Sequence, residues 1–301
     1  VELVSERISL HRGIRGHTEC DMLSTKSSST NPIKIIVVPG NPGLIEFYIE
    51  FIKTLYTNLN GQYDIIGVSH LGHCGQIQEQ FTVEEQIEHK AIFLEHLRDK
   101  RYGSIKDGVK FVLIGHSVGS YVSIKLVSRY SDQFNFVKKI NLFPTFRDLY
   151  DGLSPFIKVA IQNRWRWGVA SFLHYVPSFV LNGVLSTILP TDDMRVALQY
   201  KLNYWTALNI LFMAHSETLD IRHLDDECKK VFNTRMDDLL FIYGLTDPYT
   251  PHRFHDDLVA DYPAGNIEYA APGVPHAFVL THSTLVANRV SEWLSQSLES
   301  K

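Results

Sequence analysis

Residues 111–121, FVLIGHSVGSY, restrict the fold more than any other stretch of this chain. The run Phe111 to Ile114 is apolar without alternation, as expected of a strand buried on both faces. It stops at Gly115, passes through His116 and Ser117, and resumes after Gly119 with helical spacing (SYVSIKLVSRY). A strand that turns into a helix within a few residues needs a corner without side chains, which the two glycines provide.

The same alternation recurs along the chain. IKIIVV (33–38), YDIIGVS (63–69), VKKINLF (137–143), DLLFIYG (238–244) and NIEYA (266–270) read as strands. Helical patterns separate them: EFYIEFIKTLYTNL, VEEQIEHKAIFLEHL, a segment from about Pro251, and a closing helix through Val290 and Trp293. Two further short strands are expected over residues 3–20, followed by the Ser/Thr-rich turn STKSSSTNP. Strands alternating with helices predict an α/β, doubly wound, mostly parallel sheet. There is no internal repeat.

Composition excludes several classes. A net charge of −4 leaves no electrostatic footprint for nucleic acid. Three cysteines (Cys20, Cys74, Cys228) without CxxC spacing argue against a disulfide framework or zinc site and for a reducing compartment. The opening residues VELVSERISLH alternate and carry charge, unlike a signal peptide.

Gly115-His116-Ser117-Val118-Gly119 is a G-x-S-x-G sequence in the strand–turn–helix setting of a nucleophile elbow. A serine needs a base, and the base an orienting acid, in the chain order Ser, acid, His. Asp247, in YGLTDPYTP, follows a late strand and supplies the acid. His276, in APGVPHAF, follows the last strand and supplies the base; His282 competes but is expected to start the final helix facing away. The loop PGNPG (39–43) supplies a second oxyanion donor beside the Val118 N–H. Pro42 has no N–H, so Asn41 is the expected donor. His70 and His73, in SHLGH, have no acidic or third ligand nearby, so they read as a pocket-shaping loop and no metal or cofactor is expected. Cys74 beside them reads as structural.

VVPGNPGLIEFY, VSHLGH, QIEHK, LIGHSVGSY, LFPT, YGLTDPYTP and VPHAF together resemble the lipid droplet-associated hydrolase family of the α/β-hydrolase superfamily. The likeness runs from about residue 35 to 280. The family's serine, aspartate and histidine fall on Ser117, Asp247 and His276. The resemblance implies attachment to lipid droplets and the endoplasmic reticulum from the cytosolic side, and hydrolysis of sterol (cholesterol) esters.

The chain accordingly divides into a first core part over 1–147, an inserted helical cap over 148–237, and a second core part over 238–301. From Trp167 to Leu189 the cap has no fully charged side chain apart from His174. Pro177, several polar residues and the Arg164–Trp167 edge favour two short apolar helices over a spanning one, the alternative being a helix pair whose apolar faces only cover the catalytic pocket. Trp165, Trp167, Phe172, Phe179 and Leu185 are the candidate lipid anchors. The following segment, TDDMRVALQYKLNYWTALNILFMAHSETL, is expected to close over the site. Two functions fit: a serine esterase acting on a hydrophobic ester at a lipid surface, or a droplet-targeting or tethering protein with little turnover. The complete Ser–Asp–His set favours the esterase.

Overall fold

The structure, a computed structural model, describes residues 1–11, 16–25, 30–75, 77–103, 108–177, 180, 183, 186–187, 189 and 191–299. Its core is an eight-stranded sheet of β1 (Leu3–His11), β2 (His17–Thr25), β3 (Ile33–Val38), β4 (Asp64–Val68), β5 (Lys110–His116), β6 (Asn135–Leu142), β7 (Leu239–Tyr243) and β8 (Asn266–Tyr269). The strand order is β1-β2-β4-β3-β5-β6-β7-β8. β1–β2 and β2–β4 pair antiparallel, and every later pairing is parallel. The second N-terminal strand runs to Thr25, beyond the expected end near residue 20, because its C-terminal half pairs with β4.

Two apolar layers flank the sheet, and successive residues of each central strand serve opposite layers. Ile36 and Val38 of β3, Leu113 of β5 and Phe241 of β7 face one layer; Ile35, Val37, Ile114 and Ile242 face the other. The first layer is closed by α2 (Val83–His96), which starts on a Thr82–Glu85 capping box, and α3 (Val118–Tyr130). The second is closed by α1 (Ile49–Asn58) and, at the C-terminus, the helix Ser283–Glu299. Lys34, inside the apolar β3 run, is buried because its Nζ donates to Asp64 Oδ2 at 2.7 Å.

Between β6 and β7 the described residues include the helices α4 (Leu149–Gly152), α5 (Pro155–Ala160), α6 (Asn163–Tyr175), α7 (Asp192–Lys201), α8 (Tyr204–Asp220) and α9 (Asp226–Arg235). α10 (His252–Asp261) follows β7, and the closing helix is α11. The parallel strands carry residues 39–43, Ser117, Asp247 and His276 in the loops after β3, β5, β7 and β8, at one edge of the sheet. In a doubly wound sheet that edge is where ligands are taken.

Candidate active site

Ser117 lies between the last residue of β5 and the first of α3, at φ +54° and ψ −125°. For a residue with a Cβ this conformation costs about 1–3 kcal/mol and persists only where its surroundings impose it. They do so here. The Ser117 N–H donates to Leu142 O at 2.9 Å, tying the corner to β6. A Cβ on Gly115 would come 2.3 Å from Gly119 O, and one on Gly119 would come 2.3 Å from Val38 O. Strand, helix and the end of β3 therefore meet backbone to backbone.

The chain-order expectation brings three side chains together. His276 Nε2 lies 2.9 Å from Ser117 Oγ, and His276 Nδ1 lies 2.5 Å from Asp247 Oδ2. The Asp247 carboxylate also accepts the Tyr249 N–H at 2.8 Å. An ionised carboxylate only accepts, so Nδ1 carries the ring proton and Nε2 is left to receive the serine's. Burial pushes the Asp247 carboxyl up, but the bond and charge of His276 and the Tyr249 amide outweigh it, and the group ends below its ordinary value. The ring of Tyr249 packs 4.7 Å from that of His276. His282, the competitor, pairs instead with the Thr281 hydroxyl at 2.8 Å, just before α11.

The loop 39–43 presses on the serine. A Cβ on Gly40 would sit 3.1 Å from Ser117 Cβ. The Asn41 side chain points away, its Nδ2 donating to Ile210 O at 3.0 Å and to Glu217 Oε1 at 2.9 Å, both in α8. Its backbone amide has no protein acceptor among the described residues. Val118 opens α3, so its amide is a first-turn donor with no intrahelical acceptor.

His70 and His73 hold that loop from behind. The His70 N–H donates to Gly43 O and the Gly43 N–H donates to His73 Nδ1, each at 2.8 Å. A Cβ on Gly43 would come 2.2 Å from the His70 ring, which requires glycine there. Burial, with the nearby Lys90 charge, holds His70 well below its ordinary value and His73 at about 3. Both rings are therefore neutral; the His73 ring accepts from the loop, while His70 supports it through its main-chain N–H and the packing of its ring on Gly43. Among the described residues no three His, Cys, Asp or Glu side chains are grouped to hold a metal. Cys74 is a buried free thiol, pushed up to about 12 by desolvation.

Three residues of the site were not singled out by the sequence. Tyr48 ends a 3₁₀ turn, Ile45–Tyr48, that replaces the first turn of the expected helix and aims the phenol inward. His116 lies inside the G-x-S-x-G motif but has no prescribed role there. Glu217, in an otherwise amphipathic helix, gave only the signal of a carboxylate on a half-apolar face.

Among the anchor candidates, Trp165 and Phe172 are exposed, Phe172 at 71 %, and so is Phe156 of α5 at 75 %. Trp167 is also exposed; its indole N–H points to Asn163 Oδ1 at 3.4 Å. Arg166 departs from the expected surface edge of alternating Trp and Arg. It is buried, donating to Ile161 O and Asn163 Oδ1 with its guanidinium over Phe212. Helical spacing explains the difference: Arg166 faces inward while residues 165 and 172 share the outer face. Phe179 and Leu185 lie outside the described residues. α6 ends at Tyr175, just before Pro177, and no helix among the described residues is long and apolar enough to cross a membrane.

A mostly parallel sheet with a serine elbow after its fifth strand and helices inserted between β6 and β7 defines an α/β-hydrolase. Solved structures of that fold are similar to it across nearly their whole length. A haloalkane dehalogenase from Agrobacterium tumefaciens matches with TM-score 0.71 at 14 % identity, covering 97 % of both chains. A thermophilic esterase from Thermogutta terrifontis matches with TM-score 0.64 at 16 % identity, covering 97 % of this chain and 99 % of that one. The profile of the family described as lipid-droplet associated hydrolase matches residues 31–279, and the chain belongs to that family. The Dictyostelium discoideum protein named lipid droplet-associated hydrolase is 56 % identical over 302 residues, 99 % of each chain. The human protein of the same name is 26 % identical, over 92 % of this chain and 89 % of its own.

Proposed function

We propose that this protein is a serine carboxylic-ester hydrolase that takes hydrophobic esters, sterol esters foremost, from the surface of lipid droplets. The observation that carries the reading is the unbroken hydrogen-bonded line Ser117–His276–Asp247 at 2.9 and 2.5 Å. In this scheme His276 Nε2 takes the Ser117 proton as Oγ attacks the ester carbonyl. The Asn41 and Val118 amides receive the developing oxyanion, and Asp247 stabilises the imidazolium. Collapse expels the alcohol, which takes the proton back from His276 and leaves an acyl-serine. Water, deprotonated by the same imidazole, then releases the acid. No metal or cofactor enters the scheme.

Family membership supports the droplet as the source of substrate, and the exposed aromatic side chains of α5 and α6 support contact with an apolar phase. The inserted helices, residues 148–237, act in this reading as a cap, with Phe179 and Leu185 extending its lipid-associating segment. Endoplasmic reticulum, reached from the cytosolic face, is the companion membrane. Labelling by a fluorophosphonate tests the chemistry: the wild-type protein should label and Ser117→Ala should not. A wild-type protein that stays unlabelled beside an active serine hydrolase would instead support a droplet-targeting protein that retains the fold with little turnover. For the substrate, a sterol ester emulsified in droplets should be cleaved faster than a short soluble ester. A preference for the soluble ester would remove the droplet from the proposal.

A further inference from the structure

One line of hydrogen bonds runs beneath Ser117 and joins the segments on both sides of it. The Gly40 N–H donates to Tyr48 Oη at 2.8 Å; Tyr48 Oη lies 2.6 Å from His116 Nδ1; His116 Nε2 lies 2.9 Å from the carbonyl oxygen of His276. Every proton in this line can be assigned. A carbonyl oxygen only accepts, so His116 Nε2 carries the ring hydrogen and Nδ1 is bare. The phenol must then donate to Nδ1, and its oxygen is left to accept from Gly40. The line points one way, from the loop beside the candidate oxyanion donor to the loop carrying the candidate base.

We propose that Tyr48 and His116 are positioning residues that fix the main chain of Gly40 and of His276 together, so that the oxyanion amides and the base imidazole keep one spacing about Ser117. The proposal rests on the Ser117–Asp247–His276 reading and deepens it. Both side chains are buried, and the Phe278 and Phe143 rings stand edge-on to His116 at 5.0 and 6.1 Å, so the imidazole cannot swing out of line. Burial, and then the neighbouring His276, push His116 down to about 3, so it stays a neutral donor–acceptor through the neutral range. A protonated His116 would donate from Nδ1 to Tyr48 Oη, reversing that link and leaving the phenol hydrogen without its acceptor. The residue before a nucleophile could have been any side chain that fits; a histidine with both nitrogens engaged is a connector.

The test compares Tyr48→Phe, His116→Ala, His116→Gln and Ser117→Ala by fluorophosphonate labelling rate and by turnover of p-nitrophenyl butyrate, with circular dichroism confirming the fold. Tyr48→Phe removes one oxygen and should lower kcat and the labelling rate roughly 10- to 100-fold while KM moves by less than about threefold, the signature of lost alignment. His116→Gln, which keeps an N–H on a side chain of similar reach, should recover part of the loss seen in His116→Ala. Tyr48→Phe combined with His116→Ala should be no worse than His116→Ala, because the two act as one unit. Wild-type kcat and labelling in Tyr48→Phe, or a raised KM with unchanged kcat, would overturn the positioning role. Should Tyr48→Phe fail to fold, the His116→Gln and His116→Ala pair decides on the same criterion. Activity persisting in Ser117→Ala would instead sink the nucleophile assignment, and the two failures cannot be confused.

Discussion

Glu217→Gln should make the protein's stability less sensitive to a rise in pH from 6 to 8. The Glu217 carboxyl is 5 % exposed and accepts the Asn41 Nδ2–H at 2.9 Å. Burial pushes it from 4.5 up to about 8, with Asp220 adding to the rise and the Asn41 bond opposing it. In the unfolded chain the same carboxyl is ionised by pH 6, while in the folded chain it keeps its proton until about pH 8. Between those values the folded state binds the extra proton, so unfolding releases it and stability falls as pH rises. The slope is about 1.4 kcal/mol per pH unit, which amounts to about 2 kcal/mol between pH 6 and 8 once the midpoint is allowed for. Glutamine keeps an oxygen for Asn41 and does not titrate. Thermal melts of both proteins across this range should therefore show the wild type losing roughly 4 °C more than Glu217→Gln. Lys90, pushed down to about 7 by burial, titrates in the same window but is common to both proteins and cancels in the difference. Parallel Tm-against-pH curves would refute the reasoning, because a solvated carboxyl would have released its proton in both states.

Asp247→Asn should leave the fold intact and lower kcat by about four orders of magnitude, because the amide no longer fixes the His276 tautomer; a loss under tenfold in turnover would remove Asp247 from the role of acid. Gly168, inside α6 with nothing among the described residues within 4 Å of an added Cβ, and Gly119, whose Cβ would meet Val38 O at 2.3 Å, make an opposed pair. Gly168→Ala should stabilise by about 0.5–1 kcal/mol in chemical denaturation, whereas Gly119→Ala should abolish soluble folded protein. Trp165→Asp with Phe172→Asp should cut flotation with emulsified lipid while leaving hydrolysis of a soluble ester within about twofold of wild type, since a carboxylate in hydrocarbon costs about 2–3 kcal/mol. Undiminished flotation would place the lipid contact elsewhere.

The sheet was legible because parallel strands are buried on both faces and so read as unbroken apolar runs; β3, β5 and β7 carry that signal. Polar residues hidden by a partner carried none: Lys34 against Asp64 looks like a flaw in a strand until the pair is seen. Ser117, Asp247 and His276 could be reached from chain order, because an elbow and two post-strand loops are local features that topology then gathers at one edge. Asn41 was legible only as a backbone position. That its carboxamide would reach α8, 169 residues away at Ile210 O, depends on how the inserted helices dock, and no local pattern encodes a docking angle. Arg166 failed for the opposite reason. Its neighbours made a plausible surface motif, and only the helix phase, fixed by packing against α8, decides which side of that motif is inside. Tyr48 and His116 combine both limits. Each occupies a position the sequence does mark, a helix start and an elbow, yet their connection crosses from β3 through β5 to the loop after β8, so it exists only once the strand order is known.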